Sequence, residues 1–118
     1  MARILTCDDA AFLRMQLKKL LVSNGHTVIG EAENGRACID AYSRLRPDVV
    51  LMDITMPDMD GITATKEIMK LDPNAVIIMV SAMGVPEKVF EAIAAGAKDF
   101  VVKPYNEDKV LACIAKYV

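Results

Sequence analysis

Two stretches of this chain are apolar without relief: Val49 to Met52 (VVLM) and Ala75 to Val80 (AVIIMV). Successive strand residues face opposite sides, so a strand with one wet face would alternate polar and apolar side chains. Neither run alternates. Each is also short and preceded by turn residues, Pro47 and Asp48 before the first and Asp72, Pro73 and Asn74 before the second. Both therefore read as strands covered on both faces, the pattern of a parallel sheet with a helical layer on each side.

The remaining punctuation agrees with that frame. RILTC (3–7) is a strand stopped by two acids, and residues 11–24 form a helix with Leu13, Leu17, Leu20 and Leu21 on one face and Gly25 behind it. TVIGEA (27–32) is the second strand. Asn34 caps a helix in which Ala37, Cys38, Ala41 and Leu45 recur at helical spacing, and Pro47 ends it. DVVLMD (48–53) is the third strand, and residues 61–71 a helix with Ile62, Thr65, Ile68 and Met69 inward. AVIIMV (75–80) is the fourth strand, and residues 86–95 a helix with Pro86 in its first turn and Gly96 past its end. DFVV (99–102) is the fifth strand, and residues 106–117 the last helix, with Val110, Ile114 and Tyr117 on one side. Five strand–helix units predict an α/β fold, (βα)5, with right-handed crossovers.

Length and charge narrow the function classes. The 118 residues suit one domain spanning 1–118. Fourteen basic against sixteen acidic residues leave a net charge of −2, without the basic patch that nucleic acid demands. The longest uncharged apolar stretch, 75–85, is about half a bilayer span, and acids at positions 8 and 9 exclude a signal peptide. A cytoplasmic protein with no membrane or nucleic-acid partner is expected. Cys7, Cys38 and Cys113 form no CxxC motif and are expected to be reduced, packed thiols. Arg14, Lys18 and Lys19 read as one solvated helix face, and His26 as a surface residue.

In a parallel sheet all strand carboxyl ends share one edge. Asp8 and Asp9 follow the first strand, Asp53 ends the third, Ser81 follows the fourth and Lys103 follows the fifth. Four separate segments thus deliver acids, a hydroxyl and an amine to the edge where open α/β sheets bind ligands. Two carboxylates about 4 Å apart repel by roughly 4 kcal/mol at an effective dielectric near 20. Lys103 supplies one compensating charge, and a divalent cation could supply more. Carboxylates suit a hard ion such as Mg2+, and no His or Cys at this edge points to zinc. A carboxylate nucleophile, a metal and an amine together suggest phosphoryl transfer through an acyl phosphate.

These motifs, "DD" at 8–9, "MDITMPDMDG" at 52–61, "SA" at 81–82 and "KP" at 103–104, resemble the receiver domains of bacterial two-component response regulators over the whole chain. "DDAAFLRM" (8–15) resembles the single-domain chemotaxis regulators of the CheY type, with no output domain expected. The resemblance implies a flavodoxin-like three-layer sandwich with strand order 2-1-3-4-5. It implies Asp53 as the phosphoacceptor for a histidine sensor kinase. Asp9, Asp53 and the Thr55 carbonyl would bind Mg2+ directly and Asp8 through water. Lys103 and Ser81 would contact the phosphoryl group, Phe100 would switch with Ser81, and the Lys103–Pro104 peptide would be cis. It further implies a monomeric signalling protein rather than an enzyme. A flagellar motor switch protein would read it through a face that includes Val85, Lys88, Val89 and Phe100, and a phosphatase could reset it. Ser81 stands where Thr is common, and Phe100 where the best-known chemotaxis member has Tyr. Thr55 and Met83 occupy positions that tune autodephosphorylation. Two alternatives stay open: a stand-alone phosphorelay intermediate, and a small-molecule phosphatase using an aspartyl-phosphate. Adjacent acids after the first strand speak against the second. Asp58 and Asp60 are expected to be turn and cap residues.

Overall fold

A computed structural model describes all 118 residues. Its elements alternate as expected: β1 (Arg3–Cys7), α1 (Ala11–Ser23), β2 (Thr27–Ala32), α2 (Gly35–Leu45), β3 (Val49–Met52), α3 (Gly61–Leu71), β4 (Ile77–Ser81), α4 (Pro86–Ala95), β5 (Asp99–Val102) and α5 (Glu107–Ala115). All strand pairs are parallel, in the order β2-β1-β3-β4-β5. Strand order reverses between β1 and β3, which fixes where a crevice opens on the carboxyl edge.

The uninterrupted apolar runs divide between the two faces. Leu5, Cys7, Val50, Met52, Ile77 and Met79 join one core with residues of α2, α3 and α4, including Cys38, Tyr42, Ile62, Ile68 and Ala92. Ile4, Val49, Leu51, Ile78 and Val80 join the other, with Leu17, Leu20 and Leu21 of α1 and Val110, Cys113 and Ile114 of α5. Each strand residue thus finds an apolar layer whichever way it points, the reason neither run needed polar positions.

Local chemistry sets most boundaries. The Asn34 side chain accepts the Ala37 amide at 2.8 Å, and Arg46 ends α2 in the left-handed region before Pro47. Asn106 caps α5 through the Lys109 amide at 3.3 Å, so it stands outside the helix expected to include it. β4 starts at Ile77 and not at Ala75, because the Ala75 amide is still tied to the Asp72 carbonyl at 3.0 Å in the preceding turn.

Four expectations about side chains are corrected. Leu13 does not join the α1 core face: it is exposed toward a groove shared with Tyr105. Arg14 is not part of a solvated face, since its side chain is 14% exposed and paired with Glu31 at 3.0 Å. His26 is half-buried, its Nδ1 accepting the Ala2 amide at 3.0 Å, with burial lowering its pKa. Cys7 and Cys38 are not separate thiols; they are paired as a disulfide with Cα atoms 6.2 Å apart, and only Cys113 is free. Spacing along the chain carried no sign of this pairing, because 31 residues separate the two cysteines and the crossover through α1 and β2 brings them together.

Thr6 lies on the α1–α5 face of β1, fully buried, and its hydroxyl has no hydrogen-bond partner. Such a group costs about 1–3 kcal/mol relative to an apolar group of the same shape. Thr6→Val should therefore raise stability by about 1 kcal/mol, read as a Tm increase of a few degrees in thermal unfolding. A lower Tm would show that the hydroxyl is satisfied in solution.

Candidate functional site

The site grows out of the β1–β3 ladder. Registered pairing ends at Cys7 and Met52, and one further bond carries it onward: the Asp53 amide donates to the Cys7 carbonyl at 2.8 Å. Asp8 leaves β1 at the same level, its amide bonded to the Ala32 carbonyl of β2 at 3.0 Å. Its carboxylate Oδ1 accepts the Ala10 amide at 2.9 Å, turning the chain into α1. Main-chain bonds thus aim both carboxylates at one crevice.

Lys103 arrives from β5. Its amide donates to the Ser81 carbonyl at 2.9 Å, and the peptide to Pro104 is cis. Its Nζ lies 2.6 Å from Asp8 Oδ2 and 3.3 Å from Asp53 Oδ2, with all three side chains at most 17% exposed. Burial works against the Lys103 ammonium, but the Asp8 hydrogen bond and the field of Asp53 outweigh it, and its pKa is raised. For Asp53 the balance goes the other way. Lost hydration raises its pKa, Lys103 lowers it, and Asp8 raises it again, so the net shift is upward.

Asp9 completes the cluster from the exposed side. One carboxylate oxygen from each of Asp8, Asp9 and Asp53 lies within 4.8 Å of the others. This all-oxygen set could hold a divalent cation, and its chemistry fits a hard ion. The Cys7 sulfur, next in sequence, is turned away to Cys38 and offers no soft ligand.

The other expected residues fall around this centre. Ser81 is buried at the end of β4, where its Oγ accepts the Met83 amide at 3.2 Å. Phe100 stands opposite Met79 on β5, two positions from the Val102 that faces Ser81. By strand alternation Ser81 and Phe100 address the same layer, and Phe100 packs half-buried against the α2–α4 core. The Thr55 hydroxyl meets the Met83 sulfur at 3.3 Å, two exposed residues beside the crevice. Asp58 sits in a turn at φ 66°, and Asp60 caps α3 through the Thr63 amide at 2.7 Å, so both are outside the acidic cluster as expected. Gly61 is required by close approach, because a Cβ there would overlap the Asp53 carbonyl.

Arg14 was missed as a contributor. Its Nη1 donates to the Asp8 carbonyl at 2.5 Å while its Nε engages Glu31, so α1 and β2 together clamp the acidic pair. Its position in a run of basic residues gave no signal that it turns back toward the strand.

Comparison with known proteins adds three findings. Residues 4–115 match the model of the response regulator receiver domain family. The chemotaxis protein CheY of Bacillus subtilis is 58% identical over 97% of this chain and 95% of its own, and that of Thermotoga maritima 56% identical over the same shares. Among solved structures, the CheX–CheY–BeF3–Mg2+ complex from Borrelia burgdorferi aligns with TM-score 0.94 and 39% identity, over 98% of this chain and 89% of that one.

The upward shift of Asp53 has a consequence for stability. A carboxyl whose pKa is raised by folding favours the fold when protonated, and that contribution is lost as pH rises through the folded pKa. Ionised Asp53 therefore costs stability at neutral pH. Asp53→Asn should raise Tm by a few degrees at pH 7 in chelator, and the gain should vanish below about pH 4. The same exchange at exposed Asp9 should weaken divalent-cation binding at least tenfold and barely move Tm, because solvent screens that charge. Differential scanning calorimetry across pH, with calorimetric titration of Mg2+, measures both; a larger Tm gain at Asp9 than at Asp53 would contradict the assignment of the strain.

Proposed function

The chain belongs to the response regulator receiver domain family, and on that premise we propose that it is a chemotaxis signalling switch in which Asp53 accepts a phosphoryl group from a phosphohistidine of a sensor kinase. The observation that carries this reading is the buried ammonium of Lys103 held between the carboxylates of Asp8 and Asp53 at the strand-order reversal.

A carboxylate oxygen of Asp53 attacks phosphorus, the phosphorus–nitrogen bond breaks, and its electron pair returns to the imidazole. Asp9, Asp53 and the Thr55 carbonyl would hold Mg2+, with Asp8 reaching it through water; the all-oxygen carboxylate set supports a hard ion. The ion would supply positive charge against the transferring oxygens. Lys103 shifts its donors from the carboxylates to the phosphoryl oxygens, and the Ser81 hydroxyl, which accepts the Met83 amide, donates its own proton to the same group. Inward movement of Ser81 toward the phosphoryl group frees space in the layer that Phe100 shares, which couples the site to the α4–β5 surface. The domain catalyses its own phosphorylation and dephosphorylation, but its role is signalling, not turnover of a substrate.

The partner face is apolar and open. Val85, Phe90 and Ile93 of the α4 region are 54%, 74% and 46% exposed, and Val102 of β5 is 43% exposed. Phe90 carries more of this surface than Val89 or Lys88, which are half-buried. We assign it to a flagellar motor switch protein. The Borrelia complex, formed by a relative with CheX, supports a phosphatase as a second partner. A monomeric, cytoplasmic single domain spanning 1–118 fits these roles, and no helix is long and apolar enough to cross a membrane.

Acetyl phosphate with Mg2+ should add one phosphoryl group to Asp53, located by mass spectrometry after borohydride trapping. Asp53→Asn should show no adduct at that position, and Lys103→Met should lower the labelling rate by at least about tenfold, the scale expected of a lost electrostatic contact to the transferring group. Equal labelling of wild type and Asp53→Asn would overturn the assignment.

A further inference from the structure

The Cys7–Cys38 pair takes no part in the proposed chemistry, yet it joins two pieces of the site. Cys7 immediately precedes Asp8, and its carbonyl accepts the Asp53 amide at 2.8 Å. Cys38 lies in the first half of α2, whose opening residue Gly35 donates its amide to the Met59 carbonyl at 3.1 Å in the loop that follows Asp53. The Cα atoms are 6.2 Å apart, within the roughly 4.4–6.8 Å that a disulfide spans. Both residues are at most 1% exposed. The third cysteine, Cys113, lies in the core on the opposite face of the sheet and cannot exchange with them without unfolding.

From this placement we propose that Cys7 and Cys38 form a redox modification site whose oxidation by a small hydroperoxide alters the affinity of the neighbouring acidic cluster for divalent cations. The inference rests on the proposed function only in identifying that cluster as the working site. One thiol attacks the hydroperoxide, its sulfur is oxidised to the sulfenic acid, and an alcohol or water leaves as the O–O bond breaks. The second thiol then attacks the sulfenic sulfur, water leaves, and the S–S bond forms. Two electrons pass from the sulfurs to the peroxide. A dithiol reductant reverses the step, itself becoming a cyclic disulfide. Burial selects the oxidant: a hydroperoxide the size of hydrogen peroxide can reach the pair during local opening, whereas a bulky disulfide would have to be accommodated inside the core. In a reducing compartment the bond would be transient, which suits a sensor and not a structural staple.

The coupling to function is steric. Two thiols need more room than a disulfide, since each gains a hydrogen and the sulfurs part to van der Waals distance. The slack falls between β1, which carries Asp8 and the acceptor of the Asp53 amide, and α2, which anchors the loop after Asp53.

The test uses wild-type protein, fully reduced and then treated with hydrogen peroxide. Peptide mapping should find Cys7 joined to Cys38 and Cys113 still open to alkylation. Closing a loop of this length should raise Tm by roughly 10 °C. The Mg2+ dissociation constant should differ several-fold between the oxidised and reduced forms, return on treatment with dithiothreitol, and lose its redox dependence in both Cys38→Ala and Cys38→Val. Absence of the Cys7–Cys38 peptide, or equal Mg2+ affinity in the two redox forms, would overturn the proposal. Failure of acetyl phosphate to label the reduced protein would count against the phosphoacceptor reading instead, while the cross-link and the metal affinity still decide the redox one.

Discussion

The bond from the Asp53 amide to the Cys7 carbonyl continues the β1–β3 ladder one step beyond the strands, and the geometry of the site follows from it. Side chains at strand ends usually splay into solvent. Here the ladder holds Asp53 level with Asp8, close enough for one ammonium to reach both. The arrangement is stiff because the strands behind it are buried on both faces, so neither acid can retreat without opening a core. Gly61 belongs to the same constraint, since the loop after Asp53 folds back so tightly that no side chain fits.

Electrostatics then makes the site a poised one. Lys103 is buried at a cost and recovers it through two carboxylates, whereas Asp53 is desolvated more than its partner compensates. The cluster is thus satisfied enough to fold and short of positive charge, which is the condition for accepting a cation and an anionic phosphoryl group together. Strain of this kind sits where the chemistry is proposed, and the surrounding cores absorb it. The clamp of Arg14 on the Asp8 carbonyl adds a second positive group that holds the acidic turn.

The proposed signal path is short. Ser81 and Phe100 lie on neighbouring strands and address the same layer, so a displaced hydroxyl would change the space available to the aromatic ring. Beyond it lies the exposed apolar surface of α4 and β5. The disulfide lies in the same layer, at its β1 and α2 end. Two separate inputs, phosphoryl chemistry and thiol oxidation, would therefore reach the crevice along different strands on one face of the sheet.

Much of this was legible in the residues alone. The unbroken VVLM and AVIIMV runs determined a doubly covered parallel sheet, because an exposed face would have demanded polar residues. Asn34, Asp60 and Pro86 marked helix starts through local chemistry that needs no tertiary context. The edge shared by Asp8, Asp9, Asp53, Ser81 and Lys103 followed from parallel strand direction. What tertiary structure decided were contacts between residues far apart in sequence. Which carboxylates Lys103 bridges, the return of Arg14 onto Asp8, the exposure of Leu13 and the pairing of Cys7 with Cys38 depend on how crossovers place one element against another. Periodicity reports which face of an element is buried; the partner it meets there is set by the packing of the whole chain.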